Sequence, residues 1–294
     1  MKTTSIVIGR NDGYKDDKRC IIHLLSCLET FDEVIYVDWN TPTDKYSLLW
    51  KLEEHLPRTG KLKHIIIPPS IAETTTPDPT SFKIQEPIAR NIAIKRATGD
   101  WIVSTNIDII PPSREEFNDF LKDKDLNTFY TISRREAPLE IVNKYEIKRW
   151  KELYKELVEK VEPRYFPAKV SPNDEYSLIN CCGDFQLASA KVWNGIKGFE
   201  EEMYKFCFVD TNVQKKAVLN GFKLKAEYDL PVFHIEHPPY KVNEKGEKVE
   251  AEEWNKNNIV NKYNDAYQFV EYFTESSNRD DWGFGNTEIE IEVI

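Results

Sequence analysis

Several familiar signatures are missing from this 294-residue sequence. Its five cysteines (Cys20, Cys27, Cys181, Cys182, Cys207) are odd in number and lack the paired spacing of a zinc site. They read as reduced thiols of a cytoplasmic protein, and Cys20 and Cys27, on a predicted helix, both suit a core face. No apolar run approaches a membrane span, and the opening MKTTSIVIGRND carries too short an apolar stretch for a signal peptide. Positive charge is in deficit. The net charge of −10 and pI near 5.2 argue against a nucleic-acid partner. A phosphorylated ligand stays admissible, because one local basic or metal-bearing pocket suffices for it. There is no internal repeat, and no Gly-rich phosphate loop with a following Lys near the N-terminus.

What is present describes a water-soluble globule with a full core: 40% hydrophobic, 12% aromatic and 31% charged residues. The length allows one large α/β domain or two modest ones. Thr4 to Gly9, Glu33 to Asp38 and Lys63 to Pro68 read as buried strands, with helical periodicity over 18–30 and 44–56 between them. The first two strands exit into polar turns, Arg10-Asn11-Asp12-Gly13 and Trp39-Asn40-Thr41-Pro42. A Thr/Pro-rich stretch from Ser70 to Glu86 carries no packing pattern and is expected to be a loop, suited to a lid.

The most informative stretch runs from Arg90 to Pro112, RNIAIKRATGDWIVSTNIDIIPP. A basic helix ends at Gly99-Asp100, and the β-branched run WIVSTNIDII follows as a predicted strand stopped by Pro111 and Pro112. Asn106 and Asp108 sit at its end. Open α/β sheets bind ligands beyond the carboxyl ends of their strands, and a carboxylate there suits a divalent cation held against a phosphate. The same Asp also suits a turn cap.

Further along, the pattern predicts a helix over 113–122, a strand over Thr128 to Ser133 and one amphipathic helix from Leu139 to Val161. A strand-like segment, Tyr176 to Ala188, contains Gly183-Asp184, and Ser189 to Glu202 reads as helix and turn. Residues 211–220 read as a helix closed by Gly221, then come two short strands, Lys223 to Tyr228 and Pro231 to His234. The remainder is highly charged, with predicted helices near 250–262 and 264–274 and an alternating TEIEIEVI at the end whose pattern suits an edge strand.

These residues, in this order, resemble the nucleotide-sugar glycosyltransferases of the GT-A fold, family 2. The resemblance rests on the opening strand and its polar turn (Ser5 to Asp12), the strand ending at Asp38, Ala89-Arg90-Asn91, Ala97-Thr98-Gly99-Asp100 and the aspartate motif Asn106-Ile107-Asp108. It continues in Gly183-Asp184-Phe185, in WNGIKGFEE (Trp193 to Glu201) and in Asp210, and covers about residues 4–239. The sequence departs from the family pattern where Asn106 replaces the first carboxylate of Asp-x-Asp, and where Asp38-Trp39 replaces a double Asp.

The resemblance implies an α/β fold with a mostly parallel, Rossmann-like central sheet flanked by helices. Residues 1–239 would form the GT-A domain, with 1–112 as the nucleotide-sugar half and 113–239 as the acceptor half. Residues 240–294 would be a charged helical extension. It implies transfer of a sugar, with inversion, from a nucleoside-diphosphate sugar (UDP favoured) to a hydroxyl of a glycan or other acceptor. Asp210 would be the general base, although an Asp before a helix also serves as an N-cap. Asp108, with His234 and His237, would hold Mn²⁺ or Mg²⁺, the imidazoles favouring manganese. A His-x-x-His pair with no helix to align it is in itself unspecific.

Arg10, Asp38, Arg90 and Asn106 would line the donor pocket, each charged one equally suited to a surface ion pair. Asp184 and Trp193 would meet the acceptor, Trp193 being as well suited to the core. Peripheral association with a membrane is compatible with this reading. Two alternatives remain from the residues themselves: a catalytically degenerate nucleotide-sugar-binding or scaffold module, supported by Asn106, and a nucleotidyltransferase, disfavoured by the missing phosphate loop.

Overall fold

The computed structural model describes residues 1–11, 13, 17–75, 84–163, 183–203, 209–237, 241–242, 248–249, 278–285 and 287–294. Strand and helix alternate through the first third, as the hydrophobic pattern predicts. β1 (Thr3–Gly9), β2 (Glu33–Trp39), β3 (Leu62–Ile67) and β4 (Trp101–Thr105) are parallel, in the order β3-β2-β1-β4. Their side chains alternate between two faces. Ile6, Ile35 and Ile65 enter one core, and Val7, Val34 and Tyr36 the other. α1 (Asp17–Thr30) and α2 (Leu48–Leu52) cover the second face, while α3 (Pro69–Thr75) and α4 (Glu86–Arg96) cover the first. Burial on both faces explains the near-continuous apolar strands.

The stretch WIVSTNIDII is not one strand. β4 stops at Thr105, a turn holds Asn106 to Asp108, and Ile109–Ile110 form a separate strand, β5. The reason lies in the partners. Thr105 is the last residue paired with one neighbour, opposite Phe185, whereas Ile109 pairs opposite His234 at the far edge of the sheet. α5 (Arg114–Leu121) follows, with Ser113 and Glu116 forming a capping box.

β6 (Thr128–Ala137) extends four residues beyond the predicted strand. The single amphipathic helix expected from Leu139 is broken into α6 (Leu139–Val142) and α7 (Trp150–Lys160). Lys144 and Tyr145 fold back on Glu156 at 3.0 and 2.5 Å, so both helices bury one apolar face in a shared cluster. β7 (Phe185–Ser189), α8 (Ala190–Gly195), α9 (Val209–Leu219) and β8 (Lys223–Ile235) complete the second half. The two short strands expected around Pro231 form one 13-residue strand, bulged where β6 passes from Ile132 to Arg134. Gly221 closes α9 with φ of +80°.

The expected loop at 70–86 is helical at both ends, in α3 with Ala72 buried and at the start of α4, and residues 76–83 lie outside the described ones. Also outside them are 176–182, the apolar run at 206–208 and the helices expected near 250–262 and 264–274.

A two-stranded ribbon pairs β9 (Lys241–Val242) with β10 (Lys248–Val249). The chain then returns to its first half. Trp282 is buried in the first-face core, and β11 (Ile291–Val293) pairs antiparallel with β3 at the sheet edge, where an edge strand was expected. Among the described residues the sheet has nine strands in the order β11-β3-β2-β1-β4-β7-β6-β8-β5. Among the described residues, no helix is long and apolar enough to cross a membrane.

Candidate active site

Parallel strands end together, so β1, β2 and β4 deliver Arg10, Asp38 and Asn106 to one edge of the sheet. β5 and β8 bring a second group beside them. His234 lies opposite Ile109 in β5, and the Ile235 N–H donates to the Asp108 carbonyl at 2.9 Å. This register gathers Asp108, His234 and His237, whose ligand atoms all lie within 4.8 Å of one another. Nε2 of His234 and of His237 stand 3.6 and 3.5 Å from Asp108 Oδ2.

Among the described residues, Asp108 Oδ1 is buried without a hydrogen-bond partner. An unsatisfied oxygen on a carboxylate whose other oxygen, Oδ2, stands beside two imidazoles is costly in itself and suits a cation. The donor set, one carboxylate oxygen and two imidazole nitrogens, fits Mn²⁺ better than Mg²⁺. Burial opposes ionisation of Asp108, but the two histidines outweigh it and hold its carboxyl well below the usual range. Burial likewise opposes the His234 imidazolium. The Asp108 and Glu136 carboxylates overcome that and raise its pKa.

Asp210 opens α9, and Gly183 packs against it. Burial pushes its carboxyl up to about 6, and the negative charges of Glu86 and Asp184 add to the effect. A carboxylate with pKa near neutrality is matched to proton abstraction.

A charged and polar belt joins these two regions. His234 Nδ1 lies 2.6 Å from Glu136 Oε2, and Arg134 Nε donates to Glu136 Oε1 at 3.0 Å. Arg134 Nη1 donates to Asp184 Oδ2. Asn106 Nδ2 donates to Asp184 Oδ1 at 2.6 Å, and Asn106 Oδ1 accepts from Arg90 Nη2 at 2.6 Å. Arg90 Nε reaches Glu86 Oε1 at 2.9 Å. An amide at position 106 can accept from a guanidinium and donate to a carboxylate at once, which an ionised carboxylate in its place cannot. The departure from Asp-x-Asp therefore has a local chemical reason.

Three residues expected at the pocket have other surroundings. Arg90 is 3% exposed, with its guanidinium also on Ser104 Oγ (2.6 Å) and stacked over Phe199. It braces the Asn106 turn and presents no free face to uracil or phosphate. Asp38 is fully buried, accepting from Thr41 Oγ1 (2.5 Å), Ser47 Oγ (2.7 Å) and the Leu48 N–H (3.0 Å). It ties residues 41–48 to the end of β2. Trp193 is fully buried, donating to the Ile102 carbonyl at 3.0 Å and stacking on Phe199, so its face is unavailable to an acceptor. Arg10 is half-buried at the exit of β1.

Glu136 and Arg134 lie beyond Ser133, where the sequence pattern ends the strand, and so are not legible as site residues from that pattern. Their spacing of two, which puts both on one face of a strand, was the available signal. Asn91 of the Ala-Arg-Asn motif is wholly buried and binds the Phe199 N–H and carbonyl, each at 2.8 Å. Its role is to hold the Gly198–Phe199 turn, where Gly198 has φ of +64°.

No protein-family model matches the chain, and no curated protein matches it. Solved structures do. Crystal structures of S. aureus TarS match at 16% identity and TM-score 0.50, spanning 81% of this chain and 37% of that one. TarS 1–349 in complex with UDP matches at 17% and 0.50, over 81% and 61%. The mannosyltransferase PcManGT from Pyrobaculum calidifontis, in complex with GDP-Man and Mn²⁺, matches at 16% and 0.50, over 81% and 57%. This chain thus spans less than two thirds of the length of these proteins. At such identities the likeness establishes the fold.

Proposed function

With the GT-A fold as the premise, we propose that this protein is a metal-dependent, inverting glycosyltransferase of the family 2 kind. It would move a sugar from a nucleoside-diphosphate sugar to a hydroxyl of a glycan or other acceptor. The observation that carries the proposal is the convergence of Asp108, His234 and His237 at the ligand-binding end of the sheet, with Asp108 Oδ1 buried and unsatisfied among the described residues. The UDP and GDP-Man complexes of the structural neighbours support a nucleotide-sugar donor, and Mn²⁺ in one of them supports the ion.

In this reading Asp108, His234 and His237 hold Mn²⁺, which when bound neutralises the leaving diphosphate as a Lewis acid. The acceptor hydroxyl attacks the anomeric carbon as its proton passes to Asp210. The bond from that carbon to the diphosphate oxygen breaks, and the nucleoside diphosphate leaves. Attack opposite the leaving group inverts the anomeric centre. Arg10 is retained as a donor contact and Asp184 as an acceptor contact. Asn106 fixes the turn that carries Asp108, and Asp38 and Arg90 act as supports.

The test is a thermal-shift panel of nucleotide sugars with and without Mn²⁺, followed by transfer assays with the donor that binds. A manganese-dependent shift and release of nucleoside diphosphate are expected. A donor that binds equally well with and without metal, and is never turned over, would instead favour a binding module. The extensive use of Arg90 and Asp38 within the protein is the observation on that side.

A further inference from the structure

We propose that Glu136 is a positioning residue of the metal centre, setting the tautomer and ring orientation of His234, with Arg134 locking Glu136 in place. This deepens the metal-site reading above and rests on it. Glu136 and His234 are register partners in the parallel pair of β6 and β8, while Ile109, next to Asp108, is the partner of His234 on its other side. The imidazole is therefore flanked by two carboxylates, one from β6 and one from the turn that leads into β5. Glu136 Oε2 stands 2.6 Å from Nδ1, and Asp108 Oδ2 stands 3.6 Å from Nε2.

The shorter contact draws the ring proton to Nδ1 and leaves the Nε2 lone pair facing Asp108, the arrangement a cation needs. Without Glu136, the proton would serve better on Nε2, donated to Asp108, and would compete directly with a metal ion. Glu136 is itself held. Arg134 Nε donates to its other oxygen at 3.0 Å, and the same guanidinium binds Asp184. Both Glu136 oxygens thus have assigned partners, which suits an orienting group better than a direct ligand. Carboxylates in this position on metal-bound histidines are commonly worth about 10–100-fold in metal affinity.

The experiment measures binding of Mn²⁺ alone to the full chain, by the loss of the free-ion electron paramagnetic resonance signal. Wild type, Asp108→Asn, Glu136→Ala and Glu136→Gln are compared, with melting curves as the folding control. Asp108→Asn is expected to abolish binding. Glu136→Ala should weaken it about 10–100-fold, and Glu136→Gln, which keeps an acceptor for Nδ1–H, should fall between. Nitrogen NMR of the His234 ring should report the Nδ1–H form in wild type and the Nε2–H form in Glu136→Ala, a change that a merely structural role would not produce. Wild-type affinity and an unchanged tautomer in the folded Glu136 variants, with binding lost in Asp108→Asn, would overturn the role of Glu136 alone. Wild-type affinity in Asp108→Asn would overturn the metal site itself.

Discussion

Gly183 lies so close to Asp210 that a Cβ on the glycine would overlap the Asp210 Cβ and stand 2.6 Å from its Oδ2. Glycine at this position lets the loop before β7 press directly on the group assigned as base. Gly183→Ala must push one of them aside, at a cost typical of overpacking, about 1–3 kcal/mol. The expected outcome is a folded protein with a large loss of kcat, checked by circular dichroism and initial rates. Wild-type kcat in the alanine variant would contradict the position assigned to Asp210.

Asp210→Asn should abolish transfer and yet stabilise the fold. The Asp210 carboxyl is raised from 3.8 to about 6, so the folded chain binds its proton more tightly than the unfolded chain does. This group therefore adds stability as pH falls through about 6 toward 3.8, and detracts from it at neutral pH, by at most about 3 kcal/mol. Removing the charge should raise the Tm at pH 7.5 by roughly 2–5 °C, with the gain shrinking at pH 5. In wild type, kcat/KM should fall below about pH 6 as the base takes up its proton. A flat profile from pH 5 to 8 would count against a base at this position.

Asn106→Asp restores the family's Asp-x-Asp spelling and is expected to impair the enzyme. The new carboxylate would face Asp184 Oδ1, 2.6 Å from the present amide nitrogen. Two like charges at 4 Å repel by about 4 kcal/mol at an effective dielectric of 20. Mn²⁺ affinity and kcat should both drop. A rise in both would show that position 106 ligates the ion.

Trp193→Ala should cost about 3–5 kcal/mol of stability, as expected for emptying a fully buried aromatic site. In whatever fraction stays folded, KM for the acceptor should be unchanged. Denaturant melts and acceptor titrations separate the two effects, and a raised acceptor KM at wild-type stability would restore the contact role.

Much of this protein could be read from its residues. Parallel β1 to β4, α1, β7 up to Ala188 and the edge strand near Ile291 all follow from apolar period and composition, because burial on one or both faces writes itself directly into a sequence. Asp108, His234 and His237 were legible as a set only through resemblance, since nothing in their spacing brings residues 126 positions apart together. Their meeting is a matter of strand register.

Local sequence determined which segments are strands and helices and where polar residues leave the strands. Tertiary structure decided which polar residues face a ligand. Arg90, Asp38 and Trp193 have the chemistry of pocket residues, but hydrogen bonds and packing inside the fold claim them. Glu136 and Arg134 read as ordinary strand charges until β8 places His234 beside them. It also decided the break in WIVSTNIDII, because a β-branched run specifies extended backbone but not which neighbour will supply its hydrogen bonds.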